Sequence, residues 1–288
     1  MAANISVQNL ISTLRLLRLG NATLAGASVL IGALLLPGPI TTPLWLAALW
    51  GAFSMMALAA GGNAENDAVD IEIDKRNRPG RVLARGALTP KQALSIAYGC
   101  YGAGIFFAFK VSFRHAFLAL GMALLLQAYN RKLKRMPFLG NLAVAALCAA
   151  ALWFIEWPSW PIYTLPAVGF AFATTWLREI LKDLEDMPGD AAAGHRTLPL
   201  RYGPLVARKW AFALALIITA SLPVPCVLLG WPYSFLVVSV LGAVPFLLHI
   251  AWRIRPDAEQ PDFSRLQKEA KAVMLAGLVA IVVANLKR

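Results

Sequence analysis

Cysteine, histidine and acidic side chains are all scarce in this 288-residue chain. Its three cysteines, Cys100, Cys148 and Cys226, stand singly within apolar runs. They offer neither a disulfide framework nor a metal-ligand spacing, and are expected as small core residues. His115, His195 and His249 include no His-x-x-x-His pair, which excludes the usual helical zinc or haem site. Charged residues amount to only 15% of the chain against 59% hydrophobic, with a mean hydropathy of +0.62, which excludes an ordinary soluble domain. The apolar runs do not alternate in segments of about ten residues, so a transmembrane barrel is excluded as well. The N-terminus lacks a basic region followed by a short apolar core and a small-residue cleavage site, so no cleavable signal is expected.

What is present in quantity is apolar sequence in runs near helix-span length. Spans are expected near 17–36, 43–65, 92–111, 114–130, 139–157, 160–182, 206–229, 232–252 and 269–286. Each is long enough to cross about 30 Å of hydrocarbon at roughly 1.5 Å per residue. The expected fold class is therefore all-α, a polytopic membrane protein of about nine transmembrane helices, with eight if Pro223 and Pro225 break the seventh run. With the N-terminus inside, all of the 27 Lys and Arg except Lys110, Arg114, Lys287 and Arg288 fall on the cytoplasmic side. This bias accounts for most of the net charge of +12 without nucleic acid, because the basic residues are divided among short loops that meet anionic membrane lipids.

Six of the 15 acidic residues are spent on one pattern used twice: Asp67, Asp70 and Asp74, then Asp183, Asp186 and Asp190. On an ideal helix Asn66, Asp67, Asp70 and Asp74 share one face, as do Glu179, Asp183, Asp186 and Asp190, although Pro188 and Gly189 are expected to end or kink the second helix before Asp190. Facing lipid, six aspartates would cost roughly 15 to 21 kcal/mol on insertion scales, so they must lie near the interface or in a wet cavity. Carboxylates this close repel unless a cation joins them, and hard oxygen donors suit Mg2+, which also bridges to phosphate oxygens. Solvated helix ends are the plainer reading of one such cluster; identical repetition with an adjacent Asn and basic loops weighs against it.

Those loops read KRNRPGRVLARGALTP from Lys75 and AAAGHRTLPLRYGP from Ala191. Rich in Arg, Gly and Pro, they are expected as cytoplasmic caps over a membrane cavity. Arg78, Arg81 and Arg85 rank ahead of Arg196 and Arg201 for bidentate binding of phosphate oxygens, and Lys182 within the second stripe joins the diphosphate-binding candidates.

The strings GNAENDAVDIEIDKRNRPGRVLARGALTP and REILKDLEDMPGDAAAGHRTLP resemble the first and second aspartate-rich motifs of the UbiA superfamily of intramembrane prenyltransferases. The resemblance extends over nearly the whole chain, including Arg18, Asn21 and the segment YNRKLKRMPFLGN at 129–141. It implies a single domain over 1–288, with the first motif at 63–81 and the second at 178–199, surrounding a central cavity. It also implies a polyprenyl diphosphate donor held through Mg2+, and transfer of the prenyl group to a lipophilic acceptor. Carried over residue by residue, Asn66, Asp67, Asp70, Asp74, Asp183, Asp186 and Asp190 hold metal and diphosphate, with Asp70, Asp74, Asp186 and Asp190 as the catalytic set and Lys134 as a further diphosphate contact.

Ionising an allylic carbon–oxygen bond places negative charge on the leaving diphosphate, where Mg2+ and Arg or Lys stabilise it. Apolar walls exclude water from the allylic cation and aromatic faces tolerate it, which makes Tyr129, Phe172 and Trp176 pocket candidates with Asn21, against the ordinary packing role of such rings. Both acidic segments look more like the branch that prenylates geranylgeranylglyceryl phosphate than like haem O synthases. An aromatic acceptor, such as 4-hydroxybenzoate or another quinone or chlorophyll precursor, is the alternative; a UbiA-like terpene cyclase and a non-catalytic cation transporter are the others. The expected location is the cytoplasmic membrane, with N-terminus and caps on the cytoplasmic side.

Overall fold

The computed structural model describes residues 2–36, 38–39, 41–157, 159, 164–255, 257 and 261–285, with the side chains of 2–9, 76 and 77 outside that description. Lys287 and Arg288, expected opposite the other basic residues, lie outside the described residues, as do 160–163 at the start of the sixth expected span and residue 286 at the end of the last. Among the described residues every regular element is helical: α1 (Ala2–Leu17), α2 (Leu19–Leu34), α3 (Thr42–Val69), α4 (Ile71–Asn77), α5 (Pro90–Val111), α6 (Phe113–Arg131), α7 (Leu139–Trp153), α8 (Leu165–Ala192), α9 (Leu198–Tyr202), α10 (Pro204–Ser221), α11 (Val224–Leu229), α12 (Tyr233–Gly242), α13 (Val244–Ile254) and α14 (Phe263–Asn285), with a 3-10 turn at Leu133–Arg135.

Local sequence sets the starts of these helices. Thr41 caps α3 by accepting from the Leu44 amide, and Pro43 falls in the first turn, where a missing N–H costs nothing. Thr89 and Gln92 form a reciprocal capping box at α5, with Gln92 N to Thr89 Oγ1 at 3.2 Å and Thr89 N to Gln92 Oε1 at 2.9 Å. Ser112 separates α5 from α6 and caps the latter through the His115 amide.

Every expected span is met by a helix or a helix pair. Three have the length and apolarity to cross a membrane, Thr42–Val69, Pro90–Val111 and Pro204–Leu229. Two bent pairs extend that to five, Leu10–Leu34 with a 50° bend and Tyr233–Ile254 with a 42° bend. The expected count of nine is thus not reached on length and apolarity: α7 is short, and α6, α8 and α14 carry charged or polar residues within their lengths. Pro223 and Pro225 do interrupt the seventh run, separating α10 from α11.

The helices gather into two compact units, one of Met1–Leu30 with Thr41–Lys132 and one of Ile31–Ile40 with Leu133–Arg288. In the first, α3 packs on α1, α5 and α6. Small residues permit this: a Cβ on Gly61 would come within 2.9 Å of the Ala97 carbonyl and the Tyr101 ring, and one on Gly104 within 2.8 Å of Leu58. Ser54 Oγ also donates to the Gly104 carbonyl at 2.8 Å. In the second unit α8 packs on α7, α10 and α14, and α13 on α10 and α14, around a core that includes Leu177, Leu181, Leu184, Leu214, Leu247 and Ile250.

Candidate functional site

In the first unit the acidic pattern does not continue as one helical stripe. Helix α3 ends at Val69, Asp70 is its C-cap at φ −94° and ψ 10°, and α4 begins at Ile71. The shared face expected for Asn66 through Asp74 is therefore broken at Asp70, and Asp74 sits on a separate two-turn helix. The expectation extrapolated an ideal helix past its end.

What brings these residues together is the cap loop. Val82, Leu83 and Leu88 are buried with Leu16, Ala64, Ala93 and Ala97, which anchors the loop on α1, α3 and α5. Arg81 is thereby held over two aspartates: its Nη1 donates to Asp67 Oδ1 at 3.2 Å and also to Asp74 Oδ2. Arg18 donates to the same Asp67 oxygen. It occupies φ +48° at the break between α1 and α2, a backbone region that costs a non-glycine residue of order 1–3 kcal/mol. Asn63, one turn before Asp67, secures the same break by donating to the Leu17 carbonyl at 3.2 Å. Burial pushes the Asp74 carboxyl above its usual value; Arg81 opposes this, while Asp67 and Asp70 add to it.

On another side of α3 lies a polar group that sequence reasoning did not single out. Glu65, fully buried, accepts from Tyr101 Oη at 2.8 Å and from Arg131 Nε at 3.0 Å, and Arg131 reaches Tyr98 Oη at 2.6 Å. Asn130 adds a bond to the Gly62 carbonyl at 3.1 Å. This group ties α3 to both α5 and α6. Its only signal in the sequence was an acidic residue within a run otherwise apolar enough to span.

In the second unit α8 continues through Pro188 to Ala192, so of the end or kink expected before Asp190 the end does not occur. A proline near the last turn gives up one backbone hydrogen bond where few remain to be lost. Asp183, Asp186 and Asp190 thus share one helix. Asn141 Nδ2 donates to Asp183 Oδ2 at 3.0 Å. His195 folds back on Asp190, with its backbone N–H to the Asp190 carbonyl at 2.9 Å and its Nδ1 to Asp190 Oδ1 at 2.9 Å. Burial raises the Asp190 carboxyl; His195 and Lys182 oppose it and Asp186 reinforces it. Glu179, also on this face, is paired with Arg178, and Lys182 Nζ lies 3.8 Å from it.

The turn carrying Lys134 belongs to the same unit. Gly140 lets it lie close, since a Cβ there would be 2.8 Å from the Leu133 carbonyl, and the Arg196 amide donates to the Arg135 carbonyl at 3.0 Å. The loop after the second motif is thereby joined to the turn of Lys134. Among the other sequence candidates, Asn21, Arg78 and Arg85 are exposed and Asn66 and Tyr129 are half-buried. Phe172 and Trp176 meet edge-on at 6.0 Å, and Trp176 also lies 6.0 Å from Trp210 and packs against the core, the packing role weighed for it above.

Among the described residues no three His, Cys, Asp or Glu side chains converge to hold a metal ion. The donor chemistry nonetheless suits a hard cation: the first unit offers carboxylates with the Asn66 amide on adjoining turns and the second offers carboxylates along α8 with Asn141 from α7, with basic side chains of Arg18, Arg81 and Lys182 alongside. Oxygen donors backed by cations are what a phosphate-bearing ligand requires of a protein.

Residues 25–275 match the model of the UbiA prenyltransferase family. The chain belongs to the UbiA prenyltransferase family. It is 35% identical over 274 residues to the digeranylgeranylglyceryl phosphate synthase of Methanopyrus kandleri, covering 93% of this chain and 97% of that one. A solved structure of a digeranylgeranylglyceryl phosphate synthase in membranes superposes with a TM-score of 0.73 at 26% identity, over 97% of this chain and 99% of that one. A UbiA homologue from Archaeoglobus fulgidus, bound to DMAPP and Mg2+, shares the fold with a TM-score of 0.60 at 18% identity, over 94% of this chain and 99% of that one. Family membership makes the protein an enzyme of prenyl transfer with an all-helical membrane fold.

Proposed function

We propose that this UbiA-family protein transfers a prenyl group from a polyprenyl diphosphate to a lipophilic acceptor within the membrane, with geranylgeranylglyceryl phosphate as the acceptor. The observation that supports the acceptor most directly is the similarity, at 35% identity over 93% of the chain, to a protein named for that product. The family match over 25–275 runs through both compact units, which supports a single functional domain over 1–288.

Asn66, Asp67, Asp70 and Asp74 from the first motif and Asp183, Asp186 and Asp190 from the second would hold Mg2+. When bound, the ion supplies neutralisation of the negative charge that collects on diphosphate as the allylic bond breaks. The protein's own residues supply the rest. Arg81 and Arg18, now shared with carboxylates, have further N–H groups for diphosphate oxygens. Lys134 and Lys182 are assigned the same task from the second unit, with Arg78 and Arg85 on the cap loop. Asn21, Tyr129, Phe172 and Trp176 are assigned to the donor's pocket, where apolar walls exclude water from the allylic cation. The acceptor hydroxyl then attacks that carbon and loses its proton, which leaves an ether and free diphosphate. The basic residues flanking the spans support a cytoplasmic N-terminus and cytoplasmic caps.

The test is direct. Purified protein, labelled geranylgeranyl diphosphate and each acceptor in turn are incubated with Mg2+ or with a chelator. An ether-linked product on geranylgeranylglyceryl phosphate, dependent on Mg2+, is expected. Labelling of 4-hydroxybenzoate alone would overturn the acceptor, and a cyclic hydrocarbon formed without any acceptor would overturn the transfer itself.

A further inference from the structure

The second unit contains a cavity of about 330 Å³ lined by His249, Trp252 and Arg253 of α13 and by Asp262, Arg265 and Leu266 at the start of α14. None of these residues belongs to the aspartate motifs or their caps. We propose that this cavity is a second phosphate-binding site, filled by the headgroup phosphate of an anionic phospholipid.

The cationic groups around the cavity are held in place from below. Glu269, buried behind the lining residues, accepts from His249 Nδ1 at 2.7 Å and from Arg265 Nε at 3.1 Å. A carboxylate accepts, so the first contact assigns the Nδ1 proton to His249 and fixes its ring as part of the wall, leaving the phosphate donors to the arginines. Arg265 spends Nε on the second contact and keeps both terminal nitrogens, the pair that binds two phosphate oxygens side by side. The Arg253 guanidinium lies over the Trp252 ring at 5.5 Å, which orients it while leaving its in-plane donors open. Among the described residues Arg253 has no carboxylate partner. Asp262 supplies the opposing charge at the rim, and its Oδ1 already accepts from the Arg265 amide at 3.1 Å. That carboxylate disfavours a doubly charged diphosphate and suits a single phosphate with a neutral remainder.

Position identifies the source of the phosphate. The bent span Tyr233–Ile254 ends beside Arg253, and α14 becomes continuously apolar only from Ala272. Trp252 is 53% exposed at this depth, as aromatic residues at a membrane–water interface are. The cavity therefore opens at the level of lipid phosphates. Soluble phosphate shares the same chemistry and is the other source to be distinguished.

The full chain, reconstituted in nanodiscs of phosphatidylcholine with increasing phosphatidylglycerol, would be released and examined by native mass spectrometry. Retained phosphatidylglycerol is expected to fall on the order of tenfold in Arg253→Gln/Arg265→Gln, the loss that follows from removing charge-assisted hydrogen bonds, with prenyl transfer unchanged. Arg253→Gln alone, which removes no hydrogen bond that holds the fold, is expected to show a partial loss and guards against misfolding of the double variant. Inorganic phosphate forms the second arm: binding that the double variant loses, with phosphatidylglycerol retention unaffected, would keep the phosphate site but overturn the lipid as its occupant. Equal retention of both probes by wild type and the variants overturns the site.

Discussion

Arg131→Ala is expected to destabilise the protein more than Glu65→Ala, although the two residues form one ion pair. Glu65 is fully buried, whereas the Arg131 side chain is 51% exposed. Removing Arg131 strands a carboxylate in the protein interior with Tyr101 Oη as its one remaining donor among the described residues, a loss of about 3–5 kcal/mol for a broken buried pair. Removing Glu65 instead frees a guanidinium that water can reach, and the main penalty is the Tyr101 hydroxyl. That group belongs to a residue 4% exposed, and its unmet donor costs about 1–3 kcal/mol. The double variant should therefore be more stable than Arg131→Ala alone, since it removes the charge that had been stranded. Denaturant titration in mixed micelles, followed by circular dichroism, reads all three variants. Additive losses, or a Glu65→Ala loss equal to that of Arg131→Ala, would refute the reasoning by showing that the carboxylate is not dependent on Arg131.

Asp70→Ala and Asp186→Ala should each reduce prenyl transfer to near background while leaving the unfolding free energy within about 0.5 kcal/mol of wild type, as substitutions away from a packed core do; turnover at the wild-type rate in either would contradict their assignment to metal and diphosphate. Arg81→Ala should raise the KM for the donor and also destabilise the first unit by about 1–3 kcal/mol, because Asp67 and Asp74 lose a shared charge-assisted partner; a KM change with no stability change would show the bridge to be dispensable. Gly32→Ala places a Cβ 2.0 Å from the Leu152 carbonyl and should cost about 1–3 kcal/mol or more through overpacking. The matched control Gly102→Ala, with nothing within 4 Å, should instead gain about 0.5–1 kcal/mol, and equal effects in thermal unfolding would refute the close approach.

The helices were legible because apolar runs and caps are local properties. Thr41, Thr89 and Ser112 announce their helices within four residues of sequence, and in the seventh run Pro223 falls at the break with Pro225 in the first turn of the helix that follows. The helix break at Asp70 was not legible, because no glycine or proline marks it and an ideal wheel continues through it. Pro188 does not end its helix: proline forbids one hydrogen bond but does not forbid the φ of a helix. The partners of the aspartates were hidden for a different reason. Arg18 reaches Asp67 across 49 positions and Asn141 reaches Asp183 across 42, and pairing at that range depends on packing that no window of sequence contains.

The two acidic motifs repeat a spacing without repeating an environment. In the first, Asp67 and Asp74 are engaged by two guanidinium groups, so the charge of those two carboxylates is already matched and a ligand must share or displace cations to reach them. In the second, Asp183 is held by the neutral amide of Asn141 while burial pushes its carboxyl up to about 7, and Asp190 is held by the His195 ring with Lys182 in reach, so among the described residues no guanidinium engages either carboxylate and ionisation of Asp183 awaits a cation. A diphosphate brings negative charge that favours the first arrangement, and a divalent cation brings positive charge that favours the second. Identical residue spacing can therefore serve unequal roles, because affinity for an ion is set by the whole set of charges around the oxygens and not by the oxygens alone.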